Sequence, residues 1–184
     1  MEKDHSLALE ILSSKPIMED RMEPTTLCFP INERNEILLG MKKRGFGAHK
    51  YNGFGGKIKP YETFRQCAVR ELFEEVSLLA REEDLIPVGY IDFRFPYEPT
   101  LTHIGYVYFL WRFKGVPLES EEMKPSWFSL ESIPYDQMWA GDRTWLPPLL
   151  GKKRLVGHVT FGPDNETVES MEFKEVDVID DRVD

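Results

Sequence analysis

A stripe of apolar residues with helical spacing runs through the middle of the chain. At about 100° per residue, one face of a helix would carry Ala68, Leu72, Val76 and Leu79. Thr63 and Gln66 stand at the spacing of a capping box, and neither Gly nor Pro occurs between Thr63 and Pro87. The pattern therefore predicts an amphipathic helix that begins near Thr63 and buries this stripe.

Runs rich in β-branched and aromatic residues predict strands on both sides of that helix. Residues 25–31 and 36–41 flank the polar segment 32–35 and are predicted to form a hairpin. Further strands are expected at 84–95, 102–113 and 126–130, with a terminal hairpin of 154–161 and 167–176. Phe93, Phe95 and Trp111 of these strands are expected in the core. Residues 1–24 are predicted to be an N-terminal extension to a domain of residues 25–184, and the acidic end after residue 176 is expected to be solvated.

Composition narrows the classes of function. With 184 residues and 41% hydrophobic residues, the chain is suited to one domain with a substantial core. A net charge of −9 argues against nucleic acid as the main partner, and no apolar run approaches the ~20 residues of a membrane span. Cys28 and Cys67 form no CxxC pair, which predicts a reducing compartment. We expect a cytoplasmic monomer, with the nucleus or an organelle left open as the location.

Three glutamates lie on the flank of the predicted helix, beside its apolar stripe. Glu71, Glu74 and Glu75 are spaced so that their carboxylates can converge on one point. Like charges at these spacings destabilise a bare helix by a few tenths of a kcal/mol each, and Arg70 supplies only one compensating charge. Hard divalent cations prefer such oxygen ligands. For these residues alone, an ordinary solvated helix face is the alternative interpretation.

The residues before the helix complete a longer pattern. A glycine-rich turn ends at Gly56, and Glu62 follows after five residues. Seven residues later comes the segment 70–78, RELFEEVSL. This arrangement resembles the Nudix box, except that Ser77 stands where the family usually has glycine. The resemblance extends from about Thr25 to Val178 and implies an α+β Nudix fold, in which a mixed β-sheet is sandwiched between α-helices.

The resemblance also implies a chemistry, namely metal-assisted hydrolysis of a nucleoside triphosphate to monophosphate and pyrophosphate. The implied cofactor is Mg²⁺, with Mn²⁺ as the alternative. The implied ligands are the Gly55 carbonyl and the carboxylates of Glu71, Glu74, Glu75 and Glu122. Arg70 is implied to orient the glutamates, and Glu62 to anchor the glycine loop to the helix. Either Glu71 or Glu75 would act as the general base.

Within the family, the chain is most similar to the branch that hydrolyses oxidised purine nucleoside triphosphates. Where that branch lines its substrate pocket, this chain has Thr26, Lys42, Phe46, Asn52, Phe54, Gly55, Gly56, Lys57, Met123, Trp139, Asp142 and Trp145. Gly141 replaces the first of two consecutive acids, so Asp142 alone would accept from the N1–H and the exocyclic amine of a guanine-type base. From the residues alone, two core tryptophans and a helix-capping aspartate are the alternative interpretation.

Two other classes of function remain open at this level. A Nudix hydrolase can act on another nucleoside diphosphate-linked substrate, such as ADP-ribose or a dinucleoside polyphosphate. A Nudix fold can also serve as a nucleotide-binding module without catalysis, although every acidic position of the box is intact here. The pocket residues favour the triphosphate.

Overall fold

A computed structural model describes residues 22–182 of the chain. Within that range the strands are β1 (Glu23–Pro30), β2 (Glu36–Lys42), β3 (Tyr51–Asn52), β4 (Leu85–Arg94), β5 (His103–Leu110), β6 (Met123–Ser129), β7 (Leu155–Phe161) and β8 (Val168–Glu175). The helices are α1 (Phe64–Val76) and α2 (Asp142–Leu150). The predicted N-terminal extension lies almost entirely outside the described residues, and β1 begins two residues before the predicted start of the domain.

The strands form two sheets. A five-stranded mixed sheet has the order β1-β5-β4-β7-β8, with β1 parallel to β5 and β4 parallel to β7. A three-stranded antiparallel sheet has the order β3-β2-β6. The α+β class is therefore confirmed, as is the terminal hairpin of β7 and β8. Among the described residues, no helix is both long and apolar enough to cross a membrane.

The predicted hairpin of the first two strands is wrong. β1 and β2 are joined by a short turn and one bridge, between Ile31 and Ile37, but they belong to different sheets. The reason is that both edges of β1 have other partners. One edge pairs with β5 along its whole length, and the other bonds to the glycine loop at Phe54 and Lys57.

Helix α1 begins as its capping residues predict. Thr63 accepts from the Gln66 backbone N–H, and the Gln66 side chain accepts from the Thr63 backbone N–H. The helix ends at Val76 because Ser77 adopts a left-handed conformation with φ of 62°. Glycine favours that conformation, whereas serine adopts it at a cost of roughly 1–2 kcal/mol. Leu79 therefore lies beyond the helix and is 56% exposed, contrary to its predicted burial.

Two apolar cores lie on opposite sides of the sheets. The core beneath α1 includes Phe54, Leu72 and Tyr108, and the core beneath α2 includes Phe29 and Trp145. The two helices therefore lie on opposite sides of the strands, and a cavity opens between the two sheets. Trp111, which was expected in the core, is 46% exposed.

The acidic end was predicted to be a solvated tail, and for part of it this prediction is wrong. Ile179 is buried beside the domain. Asp181 Oδ2 lies 2.8 Å from Arg65 Nε of helix α1. The same oxygen accepts a hydrogen bond of 2.9 Å from the Tyr108 hydroxyl. An aspartate that joins two partly buried partners has a structural contact, so this part of the tail packs against the domain.

Candidate active site

The glycine loop before α1 is pressed against the edge of β1. Phe54 and Cys28 exchange two backbone hydrogen bonds of 2.6 and 2.8 Å, and the Thr26 N–H donates to the Gly56 carbonyl at 3.0 Å. A Cβ atom at Gly55 would lie 1.7 Å from the Thr26 carbonyl oxygen. Only glycine can approach the strand so closely. The loop is thereby fixed relative to the five-stranded sheet.

The same loop contacts two carboxylates of α1. A Cβ atom at Gly56 would lie 2.7 Å from the Glu71 carboxyl carbon, so glycine leaves the space that this carboxylate occupies. One turn further along, Glu75 Oε2 accepts a hydrogen bond of 3.0 Å from the Gly55 N–H. The Glu71 and Glu75 carboxylates are therefore brought together beside the backbone of Gly55 and Gly56.

Arg70 joins the helix to the segment before it. Its guanidinium pairs with Glu62 at 2.6 Å, with Glu71 at 2.5 Å and with Glu74 at 3.1 Å. It also donates to the Lys57 carbonyl at 3.2 Å. The hydrogen bond from Arg70 lowers the pKa of Glu62. One arginine thus orients three acidic side chains and the end of the glycine loop.

Glu75 is a buried acid without a full counter-charge. Its side chain is 6% exposed, and burial, followed by the charge of Glu71, raises its pKa to about 8. Glu122 raises this pKa further, so its charge also acts at this place. A hard divalent cation would relieve this repulsion, and carboxylate and carbonyl oxygens are its preferred ligands. The donor set therefore fits such a cation.

The other two predicted ligands make contacts elsewhere. Glu74 lies near Arg70 and is 3.7 Å from Lys59, and Glu122 lies 3.4 Å from Arg44. In residues 22–182, no three acidic, imidazole or thiol side chains converge as a ready-made metal site. Ligation by all four glutamates therefore requires the Glu74 and Glu122 side chains to leave their basic partners.

A cavity of about 380 Å³ lies next to the Glu75 carboxylate of α1. Glu75 forms part of its wall, and Lys42 and Lys57 supply positive charge. The other predicted pocket residues that line it are Thr26, Phe46, Asn52, Gly55, Gly56, Met123, Trp139, Asp142 and Trp145. Phe54 does not line it, because its ring is fully buried beneath Gly40 in the core. Arg70, Glu71, Glu74 and Glu122 lie outside the cavity wall.

Trp139 stands in an aromatic group at the mouth of the cavity. Its ring centroid lies 4.9 Å from that of Phe46, and Lys50 Nζ lies 5.3 Å from the indole centroid. A Cβ atom at Gly47 would come within 3.0 Å of the indole. The indole is therefore held in the cavity wall by packing and by a cation–π contact over its ring face.

Asp142 and Trp145 form the deep wall. Asp142 is 2% exposed, and both its Oδ2 atom and Trp145 Nε1 are buried without a hydrogen bond to any residue of the described range 22–182. Burial raises the pKa of Asp142 to about 8, which the nearby indole lowers only in part. A Cβ atom at Gly141 would lie 3.3 Å from Val159, so apolar side chains fill the place next to Asp142. Asp142 is thus a single buried acid with a raised pKa.

Several lining residues were not predicted as site residues. Phe93 and Phe95, which were assigned to the core alone, also line the cavity, together with Leu101, Thr102 and His103. Alternation along β5 places His103 on the same face as Gly105, where a Cβ atom would come within 3.0 Å of the Phe93 ring. That alternation was visible in the sequence, but the direction in which β5 faces depends on its pairing with β1.

The fold and the site together define a class. Two sheets and two helices place a glycine loop, a carboxylate-bearing helix and a cavity of about 380 Å³ side by side, an arrangement that suits a nucleotide hydrolase. A profile described as NUDIX domain matches residues 21–149. The chain belongs to the NUDIX family, whose members generally need a divalent metal.

Two curated relatives are similar over most of the chain. The oxidized purine nucleoside triphosphate hydrolase of Mus musculus is 45% identical, over 77% of this chain and 88% of that protein. The protein of the same name from Danio rerio is 46% identical, over 72% of this chain and 83% of that protein. A solved structure described as mMutator MutT protein from Bacillus halodurans has a TM-score of 0.72 and 21% identity, covering 83% of this chain and 97% of its own, which supports the fold.

Proposed function

We propose that this enzyme hydrolyses oxidised purine (deoxy)nucleoside triphosphates, such as 8-oxo-dGTP, to the monophosphate and pyrophosphate, and so removes them from the nucleotide pool. The observation that carries the proposal is a buried Asp142 with an unpartnered oxygen, in a cavity that also reaches Glu75 of α1. A base edge and a phosphate chain can therefore be bound at once. The names of the two relatives with about 45% identity agree with this substrate class.

We propose Mg²⁺ as the cofactor, with Mn²⁺ as the alternative. The residues that would hold it are Glu71, Glu74, Glu75, Glu122 and the Gly55 carbonyl. A bound divalent cation neutralises phosphate charge and lowers the pKa of a ligated water. Arg70 keeps the glutamates oriented. Of the two candidates for the general base, Glu75 lines the cavity and Glu71 does not, which favours Glu75.

Positive charge in the cavity would bind the phosphates. Lys42 and Lys57 both line it. Lys57 Nζ is 2.6 Å from Glu23 Oε2, and both side chains are exposed. Because an exposed ion pair contributes little free energy, a phosphate can replace Glu23 as the partner of Lys57 at little cost. Positioning and charge stabilisation supply most of the acceleration in phosphoryl transfer.

The base would be bound by Trp139, Asn52 and Asp142. The indole offers a stacking surface, and the amide and carboxyl groups offer hydrogen bonds. N–H donors of a guanine-type edge favour the ionised form of Asp142, whereas its protonated form can also donate to a base nitrogen. Because residue 141 is glycine, the Asp142 carboxyl alone forms these hydrogen bonds to the base. The range of bases that the enzyme accepts therefore depends on the protonation of Asp142.

The remaining expectations belong to the same proposal. We infer a monomer with a catalytic domain of residues 25–184, no nucleic acid or membrane partner, and a cytoplasmic location. The net charge of −9 supports a small anionic substrate bound by local lysines rather than a polynucleotide. Both cysteines are free and buried, which is typical of a reducing compartment.

The test is to measure pyrophosphate and orthophosphate release with Mg²⁺ from 8-oxo-dGTP, 2-hydroxy-dATP, dGTP and ADP-ribose at low concentration. We expect pyrophosphate to be released much faster from 8-oxo-dGTP than from dGTP. Equal rates on these two, or activity on ADP-ribose alone, would reject the proposed substrate. Binding without turnover would reject catalysis and identify a binding module.

A further inference from the structure

His103, the first residue of β5, is part of the cavity wall. Its ring centroid lies 5.1 Å from that of Phe93 at an interplanar angle of 29°, and 6.2 Å from that of Phe95 at 18°. Two nearly parallel aromatic neighbours restrict rotation of the imidazole. The ring nitrogens of His103 therefore have fixed positions in the wall.

The hydrogen bonding of His103 fixes its tautomer. Nδ1 lies 2.7 Å from the Leu101 carbonyl oxygen, which can only accept, so Nδ1 carries the hydrogen. Burial lowers the pKa of His103, and the ring is therefore neutral at pH 7. A neutral ring protonated at Nδ1 has a lone pair at Nε2. Among residues 22–182, no hydrogen bond to that lone pair is observed.

Two acids, Asp92 and Glu23, act on His103 by their charge, and Asp92 Oδ1 is buried without a hydrogen-bond partner in residues 22–182. Asp92 Oδ2 lies 2.5 Å from Arg94 Nε, and Glu23 pairs with Lys57. Neither acid is positioned as a hydrogen-bond partner for the imidazole. Nε2 therefore remains an acceptor for a ligand in the cavity.

A second unpartnered atom, Asp142 Oδ2, belongs to the same cavity. Trp145, which follows it in α2, has its ring 6.4 Å from that of Phe93, and Phe93 in turn stacks on His103. The Phe93 ring thus packs against both Trp145 and His103. A purine has hydrogen-bonding atoms on two edges, the N1 edge with its exocyclic groups and the N7 edge, and two separated partners can bind both.

We propose that His103 Nε2 accepts a hydrogen bond from the N7–H of an 8-oxopurine while Asp142 binds the opposite edge. This inference rests on the proposed function and adds a residue that selects the oxidised base. Oxidation at C8 places a hydrogen on N7, whereas an unmodified purine has a lone pair there. With an unmodified base, two lone pairs would face each other, and both would lack a donor.

The test compares substitutions of His103 in the full-length enzyme with Mg²⁺. His103→Phe keeps a flat ring against Phe93 and removes the acceptor, and His103→Gln restores an acceptor through its amide oxygen. We expect His103→Phe to lower the ratio of kcat/KM for 8-oxo-dGTP over dGTP about tenfold to a hundredfold, by slowing 8-oxo-dGTP and not dGTP. His103→Gln should recover part of the ratio. His158→Phe, on β7 outside the cavity wall, is the matched control and should leave it unchanged.

A folded His103→Phe variant with the wild-type ratio overturns this inference and leaves the proposed function intact. Absence of any 8-oxo-dGTP preference in the wild-type enzyme rejects the proposed function itself. If His103→Phe does not fold, ¹⁵N imidazole NMR of the wild-type protein decides. The Nε2 resonance should shift when 8-oxo-dGMP is added and not when dGMP is added, and equal responses to the two overturn the inference.

Discussion

Around α1, the acidic side chains already have partners, whereas in the base cavity Asp142 Oδ2, Trp145 Nε1 and His103 Nε2 have no hydrogen-bond partner within residues 22–182. Arg70 binds Glu62, Glu71 and Glu74. The contacts of this region lie within the chain and do not depend on which base is bound. Groups in the cavity wall without partners in the chain can bond to a ligand, and the wrong ligand leaves the buried Asp142 Oδ2 and Trp145 Nε1 unpaired. The first region is suited to catalysis on any nucleotide phosphate, and the second to selection among bases.

The largest expected effect comes from breaking the carboxylate region. Glu75→Gln or Glu74→Gln preserves side-chain size, and we expect a folded protein whose turnover falls at least about a hundredfold, because a charged oxygen is lost. Pyrophosphate release and the melting temperature measure the two effects. Glu172→Gln, an exposed acid on β8, is the matched control and should change neither. Near wild-type turnover in a folded variant would remove these glutamates from the metal site.

A smaller effect is expected from the aromatic side of the cavity. Trp139→Ala should raise KM about tenfold to a hundredfold with little change in kcat, because base stacking contributes about 1–3 kcal/mol. Trp145→Ala is the comparison, since Trp145 is 1% exposed in the core and its loss should cost about 3–5 kcal/mol of folding free energy. Steady-state kinetics and thermal unfolding separate the two. A collapse in stability for Trp139→Ala would instead make that indole a core residue.

A further expected effect concerns pH and stability. Burial raises the pKa of Asp142 from 3.8 to about 8, so the folded state keeps a proton that the unfolded state loses. Because the folded protein binds more protons between about pH 4 and pH 8, the contribution of Asp142 to stability falls as pH rises through that range. Asp142→Asn cannot ionise, so its melting temperature relative to wild type should rise from pH 5 to pH 8. A constant difference across this range would show that Asp142 is ionised in the folded protein.

The two regions also differ in how well the sequence predicted them. The capping residues Thr63 and Gln66 and the glutamates of α1 lie within a few residues of one another, so spacing indicated the helix and the acids that face one way. The roles of Arg70 and Glu62 came from the family resemblance. The glycine loop was likewise recognisable from its composition. Leu79 was misplaced because a single left-handed residue, Ser77, ended the helix early.

The cavity was predicted less completely, because its walls come from distant parts of the chain. Phe93, Phe95 and His103 look like ordinary strand residues until β4 and β5 are placed beside β1. The proposed hairpin of β1 and β2 had given β1 the wrong neighbour. Phe54 was assigned to the pocket, yet its ring faces the core because the Phe54 backbone pairs with Cys28. Periodicity shows that a strand has two faces, but it does not show whether a given face contacts the core or the cavity.

The pairing of β1 with β5 has a consequence for the order of folding. The Thr25 hydroxyl donates to the Ile104 carbonyl across 79 positions of sequence, whereas Arg70 reaches Glu62 across only 8. Contacts between distant residues form more slowly, because a long loop must close first. During refolding, α1 and its arginine network should therefore form before the cavity closes. A partly folded chain would then expose its carboxylate helix before it could distinguish one base from another.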